Sequence, residues 1–262
     1  MDIEGKNISV RFGRTIVLKE VNFAARNGEM VGLIGPNGSG KTTLLRALAN
    51  LQALHAGSVH YDGRTAHDFG ANELARRVAY LAQGGAVHWS LRAETLVSLG
   101  RLPHRRPFQG LSAADKLAIS KAMLTADVGS FRNRTMAQIS GGERMRVLLA
   151  RALAVEADSL LTDEPIAALD PLHQLRVMEL LRSIAHRGCS VTVVLHDISL
   201  AARFCDRLVL LADGSVVAEG PPELVLTDQH IVDVYGIEVV RGEHDGASFL
   251  LPWKQKEAAH SK

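Results

Sequence analysis

The segment Gly35-Pro36-Asn37-Gly38-Ser39-Gly40-Lys41-Thr42 restricts this chain more than any other feature. It fits G-x-x-x-x-G-K-[ST] at every fixed position, and its flanks fit as well. The apolar run Met30-Val31-Gly32-Leu33-Ile34 reads as a buried strand, and Thr43-Leu44-Leu45-Arg46-Ala47-Leu48-Ala49 has helical spacing. A strand, a glycine loop and a helix in that order turn successive backbone N–H groups toward one point, where the helix start adds a dipole that favours an anion. The pattern predicts a polyphosphate cradle. Lys41 reaches the β- and γ-phosphates, Thr42 offers its hydroxyl to Mg2+, and Gly35, Pro36, Asn37, Gly38, Ser39, Gly40 and Thr43 complete the nucleotide contacts.

Leu160-Leu161-Thr162-Asp163-Glu164-Pro165 reads as a strand ending in two adjacent acids. Like charges at the end of a buried strand repel unless a cation lies nearby, and Mg2+ carried by ATP is such a cation. Asp163 is then expected in the metal shell, with Thr42, and Glu164 as general base on the attacking water. Thr162 is expected to bond to local backbone.

The remaining pattern sets the fold. Residues 1–30 alternate apolar and polar, as in Ile8-Ser9-Val10-Arg11-Phe12, with Gly13 and Asn27-Gly28 as turns, which predicts antiparallel strands. Residues 57–63 read as a strand and turn, and 78–81 as a buried strand. From about Glu94 to Ala137 the pattern is mostly helical, interrupted near Pro103 and Pro107. Helix 142–154, strand 159–162, helix 172–187, strand 191–195 and helix 198–204 then alternate as in an α/β protein with a parallel sheet. Only the tail after Pro252 is polar enough to be loose.

Composition narrows the partners. The 262 residues are 47% apolar, enough for a core, and 30 Lys+Arg against 28 Asp+Glu leave a net charge of +2, which argues for no nucleic-acid partner. No run approaches the roughly 18 apolar residues of a membrane span, and Met1-Asp2-Ile3-Glu4 lacks the regions of a signal peptide. Cys189 and Cys205 have no metal-ligand spacing and read as reduced thiols of a cytoplasmic protein.

Ile139-Ser140-Gly141-Gly142-Glu143 lies between the phosphate loop and the acidic pair. It resembles the LSGGQ signature of ABC transporter ATPases, and the resemblance extends to Gln83 after strand 78–81, to Ala168-Leu169-Asp170 and to His196 after strand 191–195. The resemblance implies a P-loop NTPase (RecA-like) parallel-sheet core with an N-terminal antiparallel β subdomain (1–83 and 140–220), an inserted α-helical subdomain (84–139) and a C-terminal extension (221–262). It also implies that ATP binds between two copies of the chain arranged head to tail. Phe12 would stack on adenine, Gln83 would contact Mg2+ or the attacking water, His196 would bond the γ-phosphate, and Asp170 would reach the opposing loop. Ser140, with Gly141 and the N–H of Gly142, would form a second anion site at a helix start, and one triphosphate is not readily surrounded by two helix starts of one compact domain. Ile139 and Glu143 replace the usual Leu and Gln, and Ile166 and Ala167 stand where Thr and Ser are common.

The segments Val87-His88-Trp89-Ser90-Leu91, Leu99-Gly100-Arg101-Leu102-Pro103-His104 and 194–207, leading to Gly220-Pro221-Pro222-Glu223, are similar to importers of iron-siderophore, haem and cobalamin complexes. That likeness implies integral membrane permease subunits, indirectly a substrate-binding protein, and a peripheral position on the cytoplasmic face of the membrane. Residues 84–134 carry eight Lys/Arg against three acids, a local +5, expected in part to face anionic lipid beside the permease. Two alternatives stay open: the ATPase of another importer or an exporter, and a soluble ribosome- or DNA-associated ABC protein.

Overall fold

The computed structural model describes residues 1–84, 91–106, 108–167, 169–244 and 247–256. Strands β1 (Ile3–Phe12), β2 (Thr15–Ala25), β4 (Ala56–Tyr61) and β5 (Arg64–Thr65) form an antiparallel sheet in the order β2-β1-β4-β5. A six-stranded sheet follows the order β10-β9-β3-β8-β7-β6, from β3 (Met30–Ile34), β6 (Val78–Leu81), β7 (Ser159–Asp163), β8 (Ser190–Val194), β9 (Arg207–Ala212) and β10 (Ser215–Gly220). All its pairings are parallel except β9 with the edge strand β10. The alternating strands and helices thus close as predicted.

Side chains of β3 alternate between two cores, because successive residues of a strand point to opposite faces. Met30 and Ile34 join a core covered by α5 (Gly141–Leu153), α6 (Pro171–His186) and α7 (Ile198–Phe204). Val31 and Leu33 join a second core with α1 (Lys41–Leu48) and the antiparallel sheet. Beyond β5 comes α2 (Ala71–Arg77). Between β6 and α5 lie α3 (Ala93–Ser98), a 3-10 segment (Leu99–His104) that contains Pro103, and α4 (Ala113–Thr125). The expected helical stretch is therefore present. Pro107 and residues 87–90 lie outside the described residues.

The helix starts explain small boundary shifts. Ser140, Asp170 and Asp197 each accept an N–H of the following turn, so they cap α5, α6 and α7. Two expectations change. The Thr162 hydroxyl bonds not to local backbone but across to the Thr192 carbonyl on β8, at 3.4 Å, because the residue sits in the middle of a buried ladder. The stretch after Pro252 is not loose up to Gln255. After α8 (Pro222–Val225) and α9 (Asp228–Tyr235), β11 (Ile237–His244) and β12 (Ala247–Gln255) pair as an antiparallel hairpin. Leu250 buries itself in the large core, Ser199 on α7 bonds the Leu250 backbone, and Lys254 meets Glu238 at 3.3 Å. Pro252 is tolerated because β12 pairs on one side only.

Among the described residues no helix is long and apolar enough to cross a membrane. Both cysteines are free thiols; burial pushes Cys189 up to about 11 and Cys205 higher still.

Candidate active site

The groups singled out in the sequence emerge at the carboxyl ends of adjacent parallel strands, where α/β sheets bind their ligands. The phosphate loop follows β3, Glu164 follows β7, His196 follows β8 and Gln83 follows β6. Phe12, Asn37, Gly38, Gly40, Lys41, Thr42, Thr43, Gln83, Glu164 and His196 line one cavity of about 590 Å3, together with Val17. Phe12 is half exposed at its wall rather than turned into the β-sheet core.

Backbone conformation shapes the loop. Gly35 has φ +144°, and a side chain there would meet the Leu211 carbonyl at 2.1 Å. Gly40, at φ +102°, stands against Leu18 and begins α1. The Lys41 ammonium donates to the carbonyls of Gly35 and Pro36, each at 2.8 Å, so the loop itself aims the cation. Burial pulls the Lys41 ammonium below its ordinary value, and the charges of Glu164 and Asp163 oppose that shift. The buried Ser39 hydroxyl has no protein partner, an orphan that a phosphate oxygen would satisfy.

Asp163 is fully buried, and desolvation raises its carboxyl above the usual range while the Thr42 hydroxyl, donating at 3.1 Å, opposes the rise. Tyr80 on β6 reaches its other oxygen at 3.5 Å. A buried carboxylate beside a second acid and a threonine hydroxyl is a donor set suited to a hard divalent cation. Among the described residues no cluster of three or more His, Cys, Asp or Glu forms a metal cage, so the fit is to an ion that brings further oxygen ligands with it.

Glu164 adopts φ +49° at the end of β7, an uncommon conformation for a glutamate that turns its carboxylate toward the cavity wall. There it meets His196 Nε2 at 2.6 Å. Base candidate and histidine are one hydrogen-bonded pair in the wall of the cavity that the phosphate loop also lines.

Ser140, Gly141, Gly142 and Asp170 do not line this cavity. Ser140 and Glu143 close a capping box at the start of α5: the Ser140 N–H donates to Glu143 at 2.7 Å, which holds that carboxyl below its usual range. Asp170 accepts from the His173 N–H and meets His173 Nδ1 at 2.7 Å, so both its oxygens are engaged within the chain. Ala168 lies outside the described residues. Sequence reasoning missed Val17, Tyr80 and His173. Tyr80 carried a usable signal, since it precedes Gln83 by three residues within the strand expected at 78–81.

The sequence model of the ABC transporter family matches residues 18–167. The hemin import ATP-binding protein HmuV of Rhodococcus jostii (strain RHA1) is 44% identical over 252 residues, which are 95% of this chain and 86% of that protein. The cobalamin import ATP-binding protein BtuD of Halobacterium salinarum (strain ATCC 29341 / DSM 671 / R1) is 39% identical over 262 residues, 99% of this chain and 65% of that protein. Among solved structures, the ATP-binding cassette MJ0796, dimeric and bound to ADP and Pi, is 30% identical with a TM-score of 0.74 over 84% of this chain and 99% of that one. A chain of an ABC transporter in an inward-facing conformation shares the fold at TM-score 0.83, covering 96% of this chain and 97% of that one at 20% identity.

Proposed function

This chain belongs to the ABC transporter family, and from that premise we propose that it is the ATPase subunit of an importer for metal-chelate cargo, with haem the first candidate. The observation that carries the chemistry is the Glu164–His196 pair, 2.6 Å apart, in the wall of the cavity that the phosphate loop opens into. Glu164 takes a proton from a water whose oxygen attacks the γ-phosphorus while the bond to the β–γ bridging oxygen breaks and ADP leaves with that oxygen; His196 holds the carboxylate in place and bonds the phosphate oxygen. Lys41 and the loop N–H groups carry the phosphate charge, Phe12 stacks on the base, and Gln83 faces the reacting end. Mg2+, where bound, would be held by Thr42 and Asp163 and would neutralise phosphate charge.

The second helix start supports two copies. The Ser140 hydroxyl and the N–H groups of Gly141 and Gly142 lie at the start of α5, where an anion is favoured, yet these residues stand outside the cavity of their own chain. In a head-to-tail pair each would close the partner's site, with Asp170 at the crossing. ATP favours that closed pair because it binds both halves there and only one half in the open state. Residues 1–83 and 140–220 serve as the core, 84–139 as the helical unit that meets a membrane permease, and 221–262 as an extension. The chain would then sit peripherally on the cytoplasmic face.

The cargo follows from likeness to relatives named for hemin and cobalamin import. Purification of the tagged chain from detergent-solubilised membranes tests the whole reading. Recovery of a multi-span membrane protein, and ATP-dependent haem uptake by proteoliposomes holding both, is expected. Recovery with ribosomes or DNA instead, or uptake of no metal chelate, contradicts it.

A further inference from the structure

The segment Leu99-Gly100-Arg101-Leu102-Pro103-His104 is basic in sequence, but its arginine does not face solvent. Arg101 is buried, and its guanidinium donates to Asp115 at the start of α4 at 2.9 Å, to the Ala154 carbonyl that closes α5 at 2.8 Å, and to Glu156 at 2.9 Å. His104 Nε2 adds a bond to the next carbonyl, Val155, at 2.8 Å. Gly100 lies so close to the same helix end that a side chain on it would meet the Arg151 carbonyl at 2.2 Å. From the other side, Arg76 on α2 donates to the Pro103 carbonyl at 2.7 Å. Five hydrogen bonds and one close backbone approach thus fasten this six-residue segment to α2, α4 and the far end of α5.

Apolar packing also joins these elements, since Ile119, Ala122, Leu148, Ala152 and Val155 share one buried core. On one side a cavity of about 540 Å3 interrupts it, lined by Ala118, Ala122, Ala152, Leu153 and Leu160 and by Glu156. Apolar contacts are non-directional, whereas the hydrogen-bonded cation fixes the angle at which the helix ends meet. Helix α5 is a rod of 13 residues, about 20 Å long. Its far end is the Arg101 contact, and its near end is Ser140. A shift at one end is therefore delivered to the other with little loss, since a packed helix does not stretch.

We propose that Arg101 is a positioning residue: it clamps the closing turn of α5 to the start of α4, and by doing so sets where Ser140 and Gly142 stand when a second copy closes the ATP site. The clamp rests on the shared-site reading above and adds a determinant of closure that touches neither nucleotide nor water. It also assigns the most buried cation of the basic stretch an internal task, leaving lipid contact to the others.

The test uses the full chain carrying Glu164→Gln to halt turnover, with ATP-driven dimerisation followed by sedimentation and binding of a fluorescent ATP analogue to the monomer followed separately. Adding Arg101→Met, or the milder Glu156→Gln at the exposed end of the clamp, is expected to raise the ATP concentration at half-dimerisation about tenfold and by a smaller factor, respectively. Monomer affinity for the analogue stays unchanged, because the phosphate loop is untouched. In the otherwise wild-type chain kcat falls and the Hill coefficient for ATP drops toward 1. If Arg101→Met does not fold, Glu156→Gln decides alone. A parent that dimerises with ATP while the clamp variants show an unchanged midpoint overturns the clamp. A parent that never dimerises overturns the shared-site reading and the clamp with it.

Discussion

A methyl group on Gly35 would stand 2.1 Å from the Leu211 carbonyl, in a backbone conformation that side chains rarely adopt. Overpacking and strained φ each cost about 1–3 kcal/mol, so Gly35→Ala is expected to lower stability by about 2–6 kcal/mol and displace the loop. Thermal unfolding should show a fall in Tm, and ATP affinity should drop at least about tenfold. Unchanged values of both would mean that the loop does not need this close approach to β9. At this scale the sequence was most legible where one residue carries its own chemistry: Lys41, Thr42, Asp163 and Glu164 were identifiable by type and spacing alone. His173 was not, because its meaning lies in a side-chain bond to Asp170 that an ordinary helix residue does not announce. The inward turn of Arg101 was equally hidden, since its partners Ala154 and Glu156 are more than 50 residues away.

Helix α4 begins with a reciprocal cap, Ser112 bonding the Asp115 N–H and Asp115 bonding back. The Ser112 hydroxyl, then the Arg101 guanidinium, hold the Asp115 carboxyl down at about 2, against 3.8 when it is free. Its folded form is the more acidic one, so its stabilising contribution is complete above about pH 4 and is lost as the pH falls toward 2. Asp115→Asn is therefore expected to be less stable than the parent at pH 6, with the gap narrowing below pH 4 in denaturant titrations. A gap that does not change with pH would contradict the ionised cap. Element types were readable from periodicity, and boundaries moved by a residue because Ser140 and Asp170 act as caps just outside their helices. The hairpin of β11 and β12 escaped notice because, among its described residues, Leu250 alone is deeply buried. Its second strand turns Phe249, Leu251 and Trp253 outward and carries Pro252, so its apolar residues do not mark a core-facing strand.

One chain holds a phosphate loop and a second anion-binding helix start that do not face the same cavity. That arrangement gives the 262-residue chain half of each proposed ATP site, with translocation assigned to the proposed permease partner. The family and the architecture were legible because the phosphate loop, Glu164 and His196, far apart in sequence, converge on one sheet edge, and the signature segment keeps its expected place between the first two in the chain. The two-copy assembly rests on physical argument about helix starts. Glu164→Gln tests that account most directly, since the substitution removes the base while keeping size and shape. With ATP the variant is predicted to sediment as a dimer that retains two uncleaved nucleotides, while its hydrolysis rate falls by about 10²–10⁴-fold. A variant that turns over ATP at the parent rate, or binds ATP and remains monomeric, would contradict it.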